Sequence, residues 1–204
     1  MPIVVVHNDD GTVVKKPAGL APYDIDDVVH TRDDWNATPL HLAIHARSLP
    51  CVNLLLANDV SLDETVEGFS YLHTTIAVGA IPGNEQFAAD CLRRLVEYGA
   101  QLDVEDVQGY NPIHFAAVYN NAAAIDVVME AAQKLSAAET VSPDTPTTTV
   151  QRLTNNRSLH GESVVDVARK HFHFDLAQTL VTKYGFAEST VNADKEKATA
   201  SLDF

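Results

Sequence analysis

Cysteine is scarce. The 204 residues hold two, Cys51 and Cys91, and neither stands in a C-x-x-C or metal-knuckle spacing, so a disulfide framework and a thiolate zinc site are both unsupported. Basic residues are scarce too: 14 Lys and Arg face 28 Asp and Glu, a formal net charge of −14, with no compact basic cluster. Such a field repels phosphate backbones and anionic lipid, which argues against nucleic acid and membrane as partners and leaves a basic protein surface as the better one. No apolar run approaches a membrane span, and Met1-Pro2-Ile3-Val4-Val5-Val6 lacks the basic start and long apolar core of a secretory signal. The chain therefore reads as intracellular: cytoplasmic, with the nucleus as the alternative, and not secreted. Catalytic signatures are missing as well. There is no G-x-S-x-G elbow, no phosphate-cradling glycine loop, no acid pair placed for glycosyl transfer and no kinase signature, so neither an enzyme nor a cofactor is expected.

What is present is an ordinary globular balance, 46% hydrophobic and 21% charged, in a chain long enough for one core or for a stack of small units sharing one. Self-similarity favours the stack. Four related segments recur: NATPLHLAI from Asn36, GFSYLHTTI from Gly68, GYNPIHFAA from Gly109 and GESVVDVAR from Gly161. Each opens on Gly or Asn, followed two residues later by Thr38, Ser70, Asn111 or Ser163. All four are good helix caps, because a side-chain oxygen there accepts a hydrogen bond from an unpaired amide of the first turn. Pro39 and Pro112 come next, at the first helical position, where a missing N–H costs nothing. Apolar residues at helical spacing follow, and then a second apolar stretch such as Cys51–Leu56 or Cys91–Val96. The unit is helix, turn, helix.

This pattern resembles the ankyrin-repeat family, whose T-P-L-H-x-A signature recurs at about 33 residues. TPLHLA from Thr38 is a near-complete match. Glu97–Asp103 is similar to the G-A-D-V-N ending of that family, Asp106–Tyr110 to its D-x-x-G-x turn, and Phe174-Asp175-Leu176-Ala177 to the start of its second helix. The resemblance runs from about Val28 to Gly185. It implies an all-α solenoid of about four helix-turn-helix repeats, near residues 33–65, 66–105, 106–135 and 158–191, within a repeat domain spanning 20–191.

The spacing departs from the family. Thr38 and Ser70 are 32 residues apart, Ser70 and Asn111 are 41, and Asn111 and Ser163 are 52. The first extra piece, around Ala80–Gln86, should lengthen the inter-helix loop or the helix itself. The second, residues 136–160, is rich in Ser, Thr and Pro without sustained periodicity and predicts a long, mobile finger, with Ser142-Pro143 and Thr145-Pro146 as candidate phosphorylation sites. A repeat stack exposes an apolar face at each end and needs a cover. Ile3–His7, Asn8–Gly11 and Thr12–Lys16 read as strand, turn and strand, a β-hairpin cap within residues 1–19 that folds onto the first repeat. Residues 192–204 read as a polar tail, whose last three residues, Leu202-Asp203-Phe204, are a candidate motif for a peptide-binding domain.

His41 and His45 stand four apart, as in a metal-binding helix. However, His41 recurs as His73 and His114, each three residues after its cap, with Asp166 in the fourth unit. The resemblance assigns that position to hydrogen bonds between neighbouring turns, and no third ligand lies near His45, so no metal is expected. Cys51 and Cys91 align among leucines and valines and are expected in the core.

The resemblance also places partner binding on the concave face, built from turn residues and the exposed side of each first helix. Carried onto this chain, that face comprises Asp34, Trp35, His45, Glu67, Phe69, Gln108, Tyr110, Val118, Tyr119, His160, Lys170 and His171, with Trp35 the leading anchor. Phe69 and Tyr110 read equally as contacts or as packing between turns. The implied function is non-catalytic binding of a partner protein, as an adaptor or regulator. The alternative is a small metal- or thiol-dependent protein using His45, His171, His173 or the two cysteines. Oligomeric state is not legible.

Overall fold

The four caps do what their chemistry dictates. In a computed structural model that describes residues 3–7, 13–17, 28–58, 60–139 and 147–187, Thr38 starts α1 (Pro39–His45), Ser70 starts α3 (Tyr71–Gly79), Asn111 starts α5 (Pro112–Val118) and Ser163 starts α8 (Val164–Lys170). Asn111 Oδ1 accepts from the amides of Ile113 and His114, each at 3.0 Å, and Ser163 Oγ accepts from the amide of Asp166 at 3.1 Å. Each inner helix turns back into an outer one: α2 (Leu49–Leu56), α4 (Glu85–Glu97), α6 (Ala122–Ala138) and α9 (Phe174–Tyr184).

The helices form two layers. The inner layer packs in the order α1, α3, α5, α8, and the outer layer in the order α2, α4, α6, so the molecule is a helical solenoid. Leu40, Ile44, Leu72, Ile76, Ile113 and Val164 from the inner helices meet Val52, Leu92, Leu95, Ile125, Val128 and Leu180 from the outer ones in one continuous core. Each such side chain contributes roughly 1.5–3 kcal/mol when fully buried. The last described helix closes at Gly185, in the left-handed conformation at φ 71°, where the amide of Phe186 meets the carbonyl of Leu180 at 3.1 Å and the Phe186 ring is buried.

β1 (Ile3–His7) pairs antiparallel with β2 (Val13–Pro17), with Val5 opposite Lys15. The turn between them, the seat of this hairpin on the first helix pair, both proline-directed hydroxyls and the tail 192–204 lie outside the described residues. A second, minimal hairpin joins β3 (Thr65–Val66) to β4 (Phe69–Ser70) through Glu67 and Gly68, both at positive φ, as a tight turn between twisted strands requires.

Two expectations are corrected. The described part of the 136–160 insertion is not a finger without structure. Helix α6 continues to Ala138, and Thr149–Asn155 forms a further helix, α7, on which Leu153 is fully buried. Thr148 and Gln151 cap it reciprocally, and α7 packs on α6. Glu139 accepts from the amide and the hydroxyl of Thr149, at 2.8 and 2.5 Å, which fastens the insertion at its base. Cys51 is not in the core. It is exposed, whereas Cys91 is buried, because α4 packs between α2 and α6 while α2 has an outer-layer neighbour on one side only among the described helices. The first insertion is absorbed mainly by α4, which has 13 residues against 8 in α2.

Candidate protein-binding face

Between one outer helix and the next inner one, the chain makes a tight turn held by a short polar side chain. Asp33 Oδ1 accepts from the amides of Trp35 and Ala37 at 3.0 and 2.7 Å, Asp106 Oδ1 from those of Gln108 and Tyr110 at 2.8 and 2.9 Å, and Ser158 Oγ from those of His160 and Glu162 at 3.2 Å each. The turns stack closely. A side chain on Gly109 would meet the backbone of Leu159 at 2.8 Å, and one on Gly68 would meet Val107 at the same distance. Leu159 N–H donates to the Gln108 carbonyl at 2.9 Å, so the third and fourth tips are joined backbone to backbone.

Behind the tips runs a row of buried imidazoles. His73 Nδ1 accepts from the Ser70 amide at 3.3 Å and sits 2.8 Å from Ser70 Oγ, which leaves Nε2 as the donor to the Tyr110 carbonyl of the next turn, 2.9 Å away. His114 Nε2 lies 3.4 Å from the Glu162 carbonyl in the corresponding place, while its Nδ1 is 2.9 Å from Asn111 Oδ1. His41 Nδ1 lies 3.0 Å from Thr38 Oγ1, and although the Phe69 carbonyl stands beside it and favours its charge, Nε2 has no hydrogen-bond partner. Burial pushes His41 and His114 down to about 4 and lowers His73 as well, so all three are neutral at pH 7. Asp166 takes the same place in the last unit, accepting from the amide and hydroxyl of Ser163 at 2.9 and 2.7 Å. No later turn is described beyond it, so no forward donor is required of that side chain.

A hollow of about 310 Å³ opens on the inner face where β3, β4 and the turn before them meet α1, α3 and α5. His45, Glu67, Phe69 and Tyr119 all line it, so four residues distant in sequence converge. Phe115 joins them. Its ring centroid lies 5.4 Å from that of Phe69 and 5.1 Å from that of Tyr119, and His73 meets the same ring edge-on at 5.3 Å. Phe115 was missed in the sequence, although its place four residues after the Asn111 cap puts it on the same side of α5 as Tyr119.

The other eight proposed contacts lie outside this hollow. Asp34, Trp35, Gln108 and His160 are exposed at turn tips, Trp35 at 79%. Val118 is half-buried, and its carbonyl accepts from His173 Nε2 at 3.1 Å. Lys170 and His171 are exposed at the end of the last inner helix, with the Lys170 ammonium 2.7 Å from Glu162. Tyr110 is a correction: only 7% exposed, it stacks on His114 at 5.5 Å and donates its hydroxyl to Glu162 at 3.0 Å, so it is packing between turns and not a free contact. Burial and the adjacent carboxylate push its phenol up to about 12. Val107 and Leu159, exposed at 68% and 74%, were also missed. Both stand four residues before a cap, a position whose exposure comes from the turn.

Among the described residues no group of three or more His, Cys, Asp or Glu is placed to hold a metal ion. The His171 and His173 rings stack at 6.4 Å. Burial raises the Cys91 thiol to about 11, with the Thr75 hydroxyl opposing it, so Cys91 is protonated at neutral pH and a poor nucleophile. No described helix is long and apolar enough to cross a membrane.

The family model for the ankyrin repeat matches residues 35–65, from Trp35 at the first tip through α1 and α2 to Thr65. That stretch is similar to an ankyrin repeat, and the helical stack around it is consistent with an ankyrin-type solenoid. No curated protein matches the sequence. Ankyrin repeats are in general protein–protein interaction modules, typically without catalysis. In this helical stack the physical content of the T-P-L-H pattern is a capped inner helix with a buried histidine in its first turn.

Proposed function

We propose that the chain is a non-catalytic adaptor or regulator, built as four ankyrin repeats, that holds a partner protein on its concave face. The observation that carries this reading is the aromatic group at the first turn tip and in the hollow, which stands apart from the exposed Phe172 and Phe174 at the junction of the last two helices. Tryptophan occurs once, and Trp35 is exposed at a turn tip, while Phe69, Phe115 and Tyr119 gather in the hollow of the same inner side. Aromatic side chains bury much area for few rotatable bonds and dominate interface energetics. The net charge of −14 supports a partner with a basic surface and disfavours nucleic acid and anionic membrane. We read its setting as cytoplasmic or nuclear.

The test is comparative affinity purification with mass spectrometry, using the full chain and its Trp35→Ala and Tyr119→Ala variants. A protein retained by the parent should be lost or reduced at least about ten-fold with Trp35→Ala, the effect of one interface anchor. Urea unfolding should stay within about 0.5 kcal/mol of the parent, as for an exposed side chain. If every retained protein survives both substitutions, the concave face is not the binding surface. Association with the retained partner should also slow steeply with added salt.

A further inference from the structure

We propose that the hollow on the inner face receives one arginine side chain from an extended segment of the partner protein. This rests on the concave-face reading and deepens it. The walls are three aromatic rings, Phe69, Phe115 and Tyr119, in a continuous chain of contacts at 5.4 and 5.1 Å. Such rings present a negative quadrupole face that attracts a cation. Small side chains at Ala37 and Ala77 leave the space open, and at about 310 Å³ it admits a whole side chain rather than a single polar group.

Charge decides the occupant. Glu67 lines the hollow from the tip of the β3–β4 turn and, among the described residues, makes no ion pair. Glu64, three residues earlier, is already paired with Arg32. The one uncompensated carboxylate at an aromatic hollow, in a chain of net charge −14, selects a cation. A guanidinium fits better than an ammonium, because its plane stacks flat on a ring while its fork of N–H donors meets a carboxylate bidentately, and it is more weakly hydrated. An ammonium would leave the ring faces largely uncovered in a space of this size.

The experiment follows the aromatic ring resonances of the full chain by NMR at pH 8, above the ordinary histidine range. The protein is titrated with N-acetyl-arginine methylamide, with its neutral isostere N-acetyl-citrulline methylamide, and with N-acetyl-lysine methylamide. The arginine probe should shift the Phe69, Phe115 and Tyr119 signals saturably. Citrulline should bind about five-fold more weakly or not at all, and the lysine probe should fall between them. Glu67→Gln should weaken the arginine probe about five-fold, while Asp175→Asn, exposed on the outer helix α9, should leave it unchanged. Equal binding of citrulline, equal binding of lysine, an unaffected Glu67→Gln, or no saturable shift would each overturn the assignment. If no saturable shift appears while a partner is still lost with Trp35→Ala, the arginine site fails and the binding face stands. If partners survive every substitution on the face while the probe binds, the reverse holds.

Discussion

His73 and His114 occupy the same position in consecutive repeats, yet they reach the next turn in different chemical forms. Behind His73 the cap is Ser70, whose amide and hydroxyl can both donate to Nδ1; that fixes the proton on Nε2, facing the Tyr110 carbonyl at 2.9 Å. Behind His114 the cap is Asn111, whose Oδ1 already accepts from two amides and cannot donate. Nδ1 of His114 lies 2.9 Å from that oxygen, so it must carry the proton, which leaves the Nε2 lone pair facing the Glu162 carbonyl at 3.4 Å. The second and third repeats are joined by a proper donor–acceptor bond, the third and fourth by something weaker. What holds the latter junction is assembled elsewhere: the Tyr110 hydroxyl on Glu162 and the Leu159 amide on the Gln108 carbonyl. A shared motif does not guarantee a shared interaction, because the neighbouring cap sets the tautomer.

The largest effect should separate the two junctions directly. His73→Ala removes a fully buried ring, strands the Ser70 hydroxyl and leaves the Tyr110 carbonyl with the Asp106 amide alone; we expect a loss of about 3 kcal/mol in urea unfolding. His114→Ala should cost about 1 kcal/mol less, since no good forward bond is lost. Equal costs would erase the contrast.

Acid comes next. Because burial lowers the folded-state pKa of His41 and His114 to about 4 and lowers that of His73 too, the unfolded chain binds protons first as pH falls. For His41 and His114 that contribution is intact above about 6.5 and is lost progressively between about 6.5 and 4, with a slope of up to ~1.4 kcal/mol per pH unit for each. His114→Ala should flatten that slope by one share in denaturant titrations across the window. An unchanged slope would mean that His114 does not titrate differently on unfolding.

Tyr110→Phe removes only the hydroxyl bond to Glu162 and should cost about 1 kcal/mol. In a double-mutant cycle it should couple to His114→Ala, whose ring it stacks on, and add simply to His41→Ala. The finest discrimination needs no mutation: nitrogen chemical shifts at pH 7 should report His73 protonated on Nε2 and His114 on Nδ1. The same tautomer at both would break the comparison at its root.

Much of this fold was legible because its determinants are local. A cap and a following proline act within one turn, so Thr38 and Asn111 could be read as caps from the residues alone, while His73 was read as architecture from the family resemblance. What escaped depends on neighbours far along the chain. Tyr110 looks like any exposed turn aromatic until Glu162, 52 residues away, is placed beside its hydroxyl. Cys51 and Cys91 share a sequence pattern and differ in burial because only one of their helices is flanked on both sides. The miss at α7 was avoidable, since Thr148 and Gln151 spell a capping box, but the surrounding threonines masked it. Of the twelve proposed contacts, the four that converge did so because β3, β4, α1, α3 and α5 are stacked, and Phe115 entered with them for the same reason.

The insertion before the fourth repeat also bears on how the stack closes. The His73–Tyr110 contact spans 37 residues and the His114–Glu162 contact spans 48. Loop-closure entropy grows only with the logarithm of length, so the longer span adds about 0.2 kcal/mol, less than a single hydrogen bond contributes. A solenoid whose turns are fastened on both flanks can therefore lengthen a connection at almost no thermodynamic penalty, provided the added chain leaves the stacked tips in register. The segment between α6 and α7 is then the natural port for an inserted tag or domain, where foreign sequence would travel with the stack without loosening it.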